Sequence, residues 1–163
     1  MFRRKRRRSP KIRLLETVVD LRLAITRLKM LEQRLERTKR LQKPEEKTNL
    51  DKVIQEVKRL QLVLEAVALR LETIATTGVY AIEELTAAKH VLQSLRKEYK
   101  QLIPGLDAVL SNIIDRINSV ARDVNIELPD TITPPATTIA NEILESVSSE
   151  KKTNPNKNTK IKE

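Results

Sequence analysis

The chain has 163 residues and a formal net charge of +10, with 33% charged and 2% aromatic residues, two glycines and no cysteine. Such a composition fits long helices that pack along aliphatic seams better than it fits a closed α/β or β fold with pockets. The lack of cysteine excludes a disulfide framework and thiolate chemistry. We therefore predict an elongated all-α protein.

The positive charge is concentrated at the start of the chain. Residues 1–43 carry a net charge of +12, residues 44–128 carry −2, and the remainder is neutral. Residues 1–11 are read as a basic arm that leads into the first helix. No apolar run of signal-peptide length follows the arm, and no stretch reaches the roughly 18 apolar residues that a spanning helix needs. We expect a cytosolic protein whose membrane contact is peripheral.

The first helix is predicted from Ile12 to about Gln42, with Ser9-Pro10 as its start signal. Spacings of three and four residues place one apolar seam on a single helix face, formed by Leu14, Val18, Leu21, Ile25, Leu28, Leu31 and Leu35. The opposite face is expected to carry the basic residues Arg13, Arg27, Arg34, Arg37, Lys39 and Arg40.

The segment KPEEKTN interrupts this pattern at Pro44, and Thr48 or Asn49 is predicted to cap a second helix over roughly Leu50 to Ala75. Because the turn is short, the two helices should form an antiparallel hairpin. The second seam comprises Leu50, Ile54, Val57, Leu60, Leu64, Val67, Leu71 and Ile74.

Two further helices are predicted after a break at Gly78, and Pro104-Gly105 separates them. Their seams are Ile82, Leu85, Ala88, Leu92, Leu95, Tyr99 and Leu102, then Leu106, Leu110, Ile113, Ile117, Val120 and Val124. One hairpin cannot bury four seams, so the last two must fold back on it or pair with neighbouring subunits. This predicts a switch between closed and open states with joints at Gly78, Pro104 and Gly105, and Gly78→Ala is expected to impair or reshape a polymer.

The C-terminal part has a different composition. Residues 126–138 are rich in proline and threonine and predict a linker, and residues 139–149 predict a short amphipathic helix. Residues 150–163 are polar and are expected to be disordered.

The sequence offers little for catalysis. His90 is the sole histidine and lies off the third seam, and Ala87 stands where a di-iron Glu-x-x-His pair needs its glutamate. The chain contains no Gly-rich phosphate loop. We expect no enzyme and no catalytic residue, metal or cofactor.

The basic arm alone is compatible with nucleic acid, with an anionic membrane or with a solubilising role. Arginines neutralise phosphates, but the arm has a single aromatic residue, Phe2, and no compact module that reads bases. On a membrane, each basic residue contributes about 1 kcal/mol, and burying Phe2 adds roughly 1.5 to 3 kcal/mol.

Residues 12–125 resemble the archaeal ESCRT-III-like cell-division proteins of the CdvB group. The resemblance rests on LRLAITRLKMLEQRLERTKR in the first helix, on LRLETI before the Gly78 break and on LIPGLDAVL at the start of the fourth helix. It implies a hairpin core, polymerisation with itself or with paralogues on anionic membrane, and remodelling by a AAA ATPase through its microtubule-interacting-and-trafficking domain. The motifs that resemble the ATPase-binding elements of the family comprise Leu128, Pro129, Ile132, Pro134, Pro135, Ile139, Ile143, Leu144 and Val147.

Together these observations predict a filament-forming protein that binds and remodels anionic membrane in cell division or vesicle budding, at the inner face of the cell membrane. The alternative is a non-specific nucleic-acid-binding or purely structural coiled-coil protein. The residues expected to bind membrane are Phe2, Arg3, Arg4, Lys5, Arg6, Arg7, Arg8, Lys11, Arg13, Arg27, Arg34, Arg37, Lys39 and Arg40.

Overall fold

The computed structural model describes residues 8–145, and within that range the chain is all-helical, as the seams predict. Predictions about the arm before residue 8 and the tail after residue 145 lie outside the described residues. The helices are α1 (Pro10–Leu41), α2 (Pro44–Thr77), α3 (Ile82–Tyr99), α4 (Leu106–Asp123) and α5 (residues 134–145).

Helix α1 begins where the Ser-Pro pair predicts. Ser9 is the N-cap, its Oγ accepts a hydrogen bond from the backbone N–H of Ile12 at 3.3 Å, and Pro10 takes a first-turn position that needs no N–H. The predicted seam is buried through its first five positions and half-buried at Leu31 and Leu35.

Helix α2 begins at Pro44, not at the predicted Leu50. The prediction took proline as an interruption, and this was wrong because proline fits the first position of a helix, where its fixed φ is favourable and no hydrogen bond is lost. Two glutamates in the first turn further stabilise this start through the helix dipole. Thr48 and Asn49 therefore lie inside α2 and do not cap it.

Glycines mark the other two connections of the four long helices. Gly78 ends α2 with a φ of +72°, and its N–H donates to the carbonyl of Ile74 at 2.9 Å. Gly105 has a φ of +86° and directly precedes α4. Because L side chains disfavour this region by about 1 to 2 kcal/mol, glycine is the residue that lets the chain reverse here.

The hairpin of α1 and α2 packs beside the hairpin of α3 and α4. Helix α1 contacts α2 and α4, and α3 contacts the same two helices, so the four form a ring around one aliphatic core. Ion pairs join neighbouring helices at the rim, among them Arg96 Nε to Asp107 Oδ1 at 2.9 Å between α3 and α4. The last two seams thus fold back on the hairpin, which is one of the two arrangements predicted.

One end of the α1–α2 hairpin extends beyond α3 and α4. The first two helices have 32 and 34 residues, whereas α3 and α4 have 18 each. The start of α4 lies beside Leu31 of α1, and the end of α3 contacts α2 through a 2.7 Å hydrogen bond from Tyr99 Oη to Glu56 Oε2. Residues 35–53 therefore form a two-helix extension, here called the tip, about 10 to 15 Å long.

Helix α5 begins at residue 134, five residues before the predicted boundary at 139. Pro134 again occupies the first helical position, and the helix turns Ala136, Ala140 and Ile143 into the core. Arg70 of α2 connects α5 to the bundle, because its Nη1 lies 3.0 Å from Glu84 Oε2 of α3 and its Nη2 lies 3.2 Å from Glu142 Oε2. The predicted end at residue 149 lies outside the described residues.

Candidate functional site

The solvent-facing side of α1 carries positive charge only. Within Pro10–Leu41, fourteen residues are exposed, of which six are lysine or arginine and none is acidic. The six exposed bases are Lys11, Arg27, Lys29, Arg34, Arg37 and Arg40. None of the six forms an ion pair with a residue that the structure describes.

The four acidic residues of α1 are all half-buried, and each has a bonding partner. The partners are Arg8 for Glu16, Arg116 for Asp20, Gln61 for Glu32 and Lys58 for Glu36. Three of these partners belong to the helices packed against α1. Folding therefore neutralises or shields the acids of the helix and leaves most of its bases on the open surface.

Two residues predicted on the open face of α1 are not free. Arg13 lies between α1 and α4, where its guanidinium contacts Asp123 and the hydroxyl of Ser119. Lys39 forms an ion pair with Asp51 across the tip. The prediction was wrong for Arg13 because α4 covers that flank of α1, which the pattern of a single helix does not reveal.

Five exposed apolar residues run along the middle of this basic surface, and we call them the outer line. At about 100° per residue, all five project within roughly 20° of one direction, opposite the buried seam. They are Ile12, Val19, Leu23, Met30 and Leu41, with 48, 63, 48, 58 and 89% of their surface exposed. By the same measure Arg27 and Arg34 lie on one side of this line, Arg40 lies on the other side, and Arg37 lies within it.

The outer line and Lys29 are not among the residues predicted from the sequence. The signal of the outer line was present as a second series with spacings of seven, four, seven and eleven residues, which returns to one face of the same helix. The first seam alone accounts for the helix pattern, so a second apolar face on the same helix is not needed to predict it. The arm residues Phe2, Arg3, Arg4, Lys5, Arg6 and Arg7 lie outside the described residues.

The candidate joints and ATPase-binding residues lie outside α1, in the turns before α3 and α4 and in the C-terminal segment. Gly78, Pro104 and Gly105 are exposed in the two turns that precede α3 and α4. In the C-terminal segment, Leu128, Ile132, Ile139 and Leu144 are half-buried against the core, Ile143 is buried, and Pro134 and Pro135 are exposed. Pro129 is half-buried, and Val147 lies outside the described residues.

Comparison of the chain with protein-family models, with curated proteins and with solved structures finds no match. Among the described residues, no helix is both long enough and apolar enough to cross a membrane.

Proposed function

We propose that this chain is an ESCRT-III-like subunit that binds anionic membrane, polymerises on it and remodels it. The observation that carries the proposal is the outer surface of α1, where six bases and no acid surround a line of five apolar side chains. An interfacial helix has this arrangement, because its apolar residues enter the headgroup boundary while lysine and arginine reach the phosphates on either side.

The outer line favours lipid over nucleic acid. Both ligands present phosphates, so the basic residues alone do not discriminate between them. A phosphate backbone offers nothing to cover five exposed apolar side chains along one face, whereas a bilayer does. Burying the exposed half of each of these side chains contributes about 1 kcal/mol, similar to the contribution of each nearby base.

The ion pairs between α1 and α4 support a closed resting state. Asp20 with Arg116 and Arg13 with Asp123 join the two helices along the same flank. Release of α3 and α4 at Gly78 and Gly105 exposes the seams that these helices bury, and neighbouring subunits then cover them in a polymer. The subunit acts in the cytoplasm, peripheral to the inner face of the cell membrane at sites of division or budding.

The proposed disassembly partner is a AAA ATPase that grips the C-terminal segment through its microtubule-interacting-and-trafficking domain. Because Ile143 is buried and Leu128 is half-buried, the ATPase engages this segment after it leaves the bundle. Pro134 and Pro135, which are exposed at the start of α5, are the residues open to first contact.

The deciding experiment is cosedimentation of the full chain with anionic vesicles in the presence of excess duplex DNA, with electron microscopy of the pellet. We expect protein and filaments to sediment with the vesicles despite the DNA. Retention by DNA with no protein and no filaments on the vesicles would overturn the proposal and favour the nucleic-acid alternative.

A further inference from the structure

An apolar groove lies between α1 and the turn that leads into α4. Its volume is about 340 Å³, and its floor is formed by Ala24, Leu28, Leu31, Ile103, Leu106 and Val109. Pro104 and Gly105 form one wall. No acidic side chain is among the described residues that line it. Its size is at the lower end of the range for small-molecule sites in proteins.

Two arginines stand at the rim of the groove. Arg27 and Arg34 are seven residues apart on α1, about 10 Å along the helix axis, and both are exposed. Neither forms an ion pair with any residue between 8 and 145. An apolar floor beneath two unpaired guanidinium groups fits a ligand with a hydrocarbon part and an anionic end.

We propose that the groove receives a hydrocarbon chain of a single anionic phospholipid, with its phosphate held between Arg27 and Arg34. The groove is continuous with the outer surface of α1, because Arg27 and Arg34 line the groove and also lie beside the outer line. A bilayer in contact with that line presents its headgroups at the mouth of the groove. The inference rests on the proposed function and gives the membrane contact a discrete lipid site.

Other occupants fit less well. The C-terminal residues 146–163 contain five lysines and two glutamates, so their net positive charge is repelled by the rim arginines. A second copy of the chain needs an interface of at least about 1,000 Å² in total, and a groove of this size provides only a small part of it.

The test uses a short-chain lipid in solution, so that no membrane is needed. Monomeric dihexanoylphosphatidylglycerol is titrated into the full chain below its micelle concentration, with methyl NMR of Leu31 and Val109 as the readout. We expect saturable shifts at both methyl groups and weaker binding of dihexanoylphosphatidylcholine. Glycerophosphoglycerol, which has the headgroup without chains, should not bind.

The variant Arg27→Gln with Arg34→Gln should weaken this binding by at least about tenfold, because two charge-assisted contacts to the phosphate are lost. The matched control is Arg37→Gln with Arg40→Gln, which removes the same charge from the same exposed surface away from the groove. Val109→Phe provides a second test, because it fills the groove and leaves both arginines in place.

The inference would be overturned if both arginine pairs lost the same affinity for the lipid. It would also be overturned if the headgroup alone bound tightly, or if the lipid shifted neither methyl group of the wild type. A concentration-dependent shift of the same methyl groups without lipid would identify a second copy as the occupant and would also overturn it. If the chain binds vesicles and forms filaments but does not bind the monomeric lipid, the proposed function remains intact. If the groove binds the monomeric lipid but the protein does not bind vesicles, the proposed function is contradicted and the inference stands.

Discussion

Tyr99 connects the end of α3 to the middle of α2. Its ring is buried, its hydroxyl donates to Glu56 Oε2 at 2.7 Å, and Arg59 Nη1 donates to the same hydroxyl at 2.9 Å. Burial and the hydrogen bond to Glu56 raise the pKa of Tyr99 well above its ordinary value. A single side chain thus joins the shorter hairpin to the longer one where the four-helix part ends.

Replacing Tyr99 with phenylalanine should lower the free energy of unfolding by about 1 to 2 kcal/mol, because a buried hydroxyl that bonds to charged groups is lost. The raised pKa also predicts a pH dependence. The neutral phenol is favoured by folding, so its contribution is complete below a pH of about 10 and is lost as the pH rises through the folded pKa. Urea unfolding of wild type and Tyr99→Phe between neutral and alkaline pH measures both effects.

The control for this experiment is Tyr80→Phe, which removes the same group from a half-buried tyrosine in the turn before α3. The expected role of Tyr99 is contradicted if both variants show the same stability and the same pH profile as the wild type.

Gly78 is the second residue whose substitution tests the proposed closed state. A Cβ added there meets no atom within 4 Å, so the effect of Gly78→Ala comes from the backbone alone, at a φ of +72°. We expect the closed state to lose about 1 kcal/mol, because alanine disfavours the left-handed region and favours continuation of α2. Urea midpoints should fall for Gly78→Ala and stay near wild type for Thr76→Ala, an exposed position inside the same helix.

The positive φ of Gly78 changes the expectation for a polymer. The sequence suggested that alanine stiffens a joint, whereas the observed φ indicates that it destabilises the reversed turn. Gly78→Ala should therefore change filament yield or shape on vesicles, which electron microscopy measures. Unchanged filaments together with a lowered urea midpoint would remove Gly78 from the proposed joints.

At the scale of single elements, α1 presents four surfaces to its surroundings. One face forms the core, its two flanks pair with α2 and α4, and the outer face carries the exposed bases and the outer line. The same helix thus stabilises the bundle and presents the surface to which the proposed function assigns membrane binding. Substitutions on the outer face separate these roles because they leave the core untouched.

Leu23→Glu should weaken binding to anionic vesicles roughly tenfold, since it removes apolar burial and places a negative charge in the outer line. Leu69→Glu on α2 is the matched control, because the two leucines are 48 and 51% exposed. Vesicle cosedimentation gives the affinities, and circular dichroism checks that both variants fold. Equal weakening in the two variants would argue against a membrane contact through α1.

The sequence predicted the helices better than their ends and their partners. The seam of α1 and the break at Gly78 follow from local chemistry, and both predictions are confirmed. The starts of α2 and α5 were predicted late because proline was read as a stop signal, although its effect depends on its position in the helix. The contact of Arg13 with Asp123 joins residues 110 positions apart, and no local pattern encodes such a contact.

At the scale of the whole molecule, the proposed opening includes a separation of the two hairpins. Each of them has its own turn, and the contacts between α1 and α4 lie along one flank. Because the chain contains no cysteine, introduced thiols can hold chosen helices together without side reactions. Membrane binding and polymer formation can therefore be tested separately.

A reducible bis-maleimide across Asp20→Cys and Arg116→Cys should leave vesicle binding within about twofold of wild type, since the outer surface is unchanged, and should block filaments until it is reduced. The control cross-link joins Arg22→Cys to Glu65→Cys and tethers α1 to α2 within the first hairpin. In the wild type, Arg22 Nη1 lies 2.9 Å from Glu65 Oε1. Filaments formed by the α1–α4 cross-linked protein would show that polymerisation does not require this opening.

The tip and the four-helix part are expected to differ in amide hydrogen exchange. Residues 35–53 are supported by one neighbouring helix, whereas the rest of α1 and α2 is covered by α3 and α4. Amide hydrogens in the tip should exchange through small local openings, and those in the four-helix part through larger cooperative ones. Under the proposed opening, a ligand of the tip meets the same surface in the closed and the open subunit, whereas a ligand of the opposite end distinguishes the two.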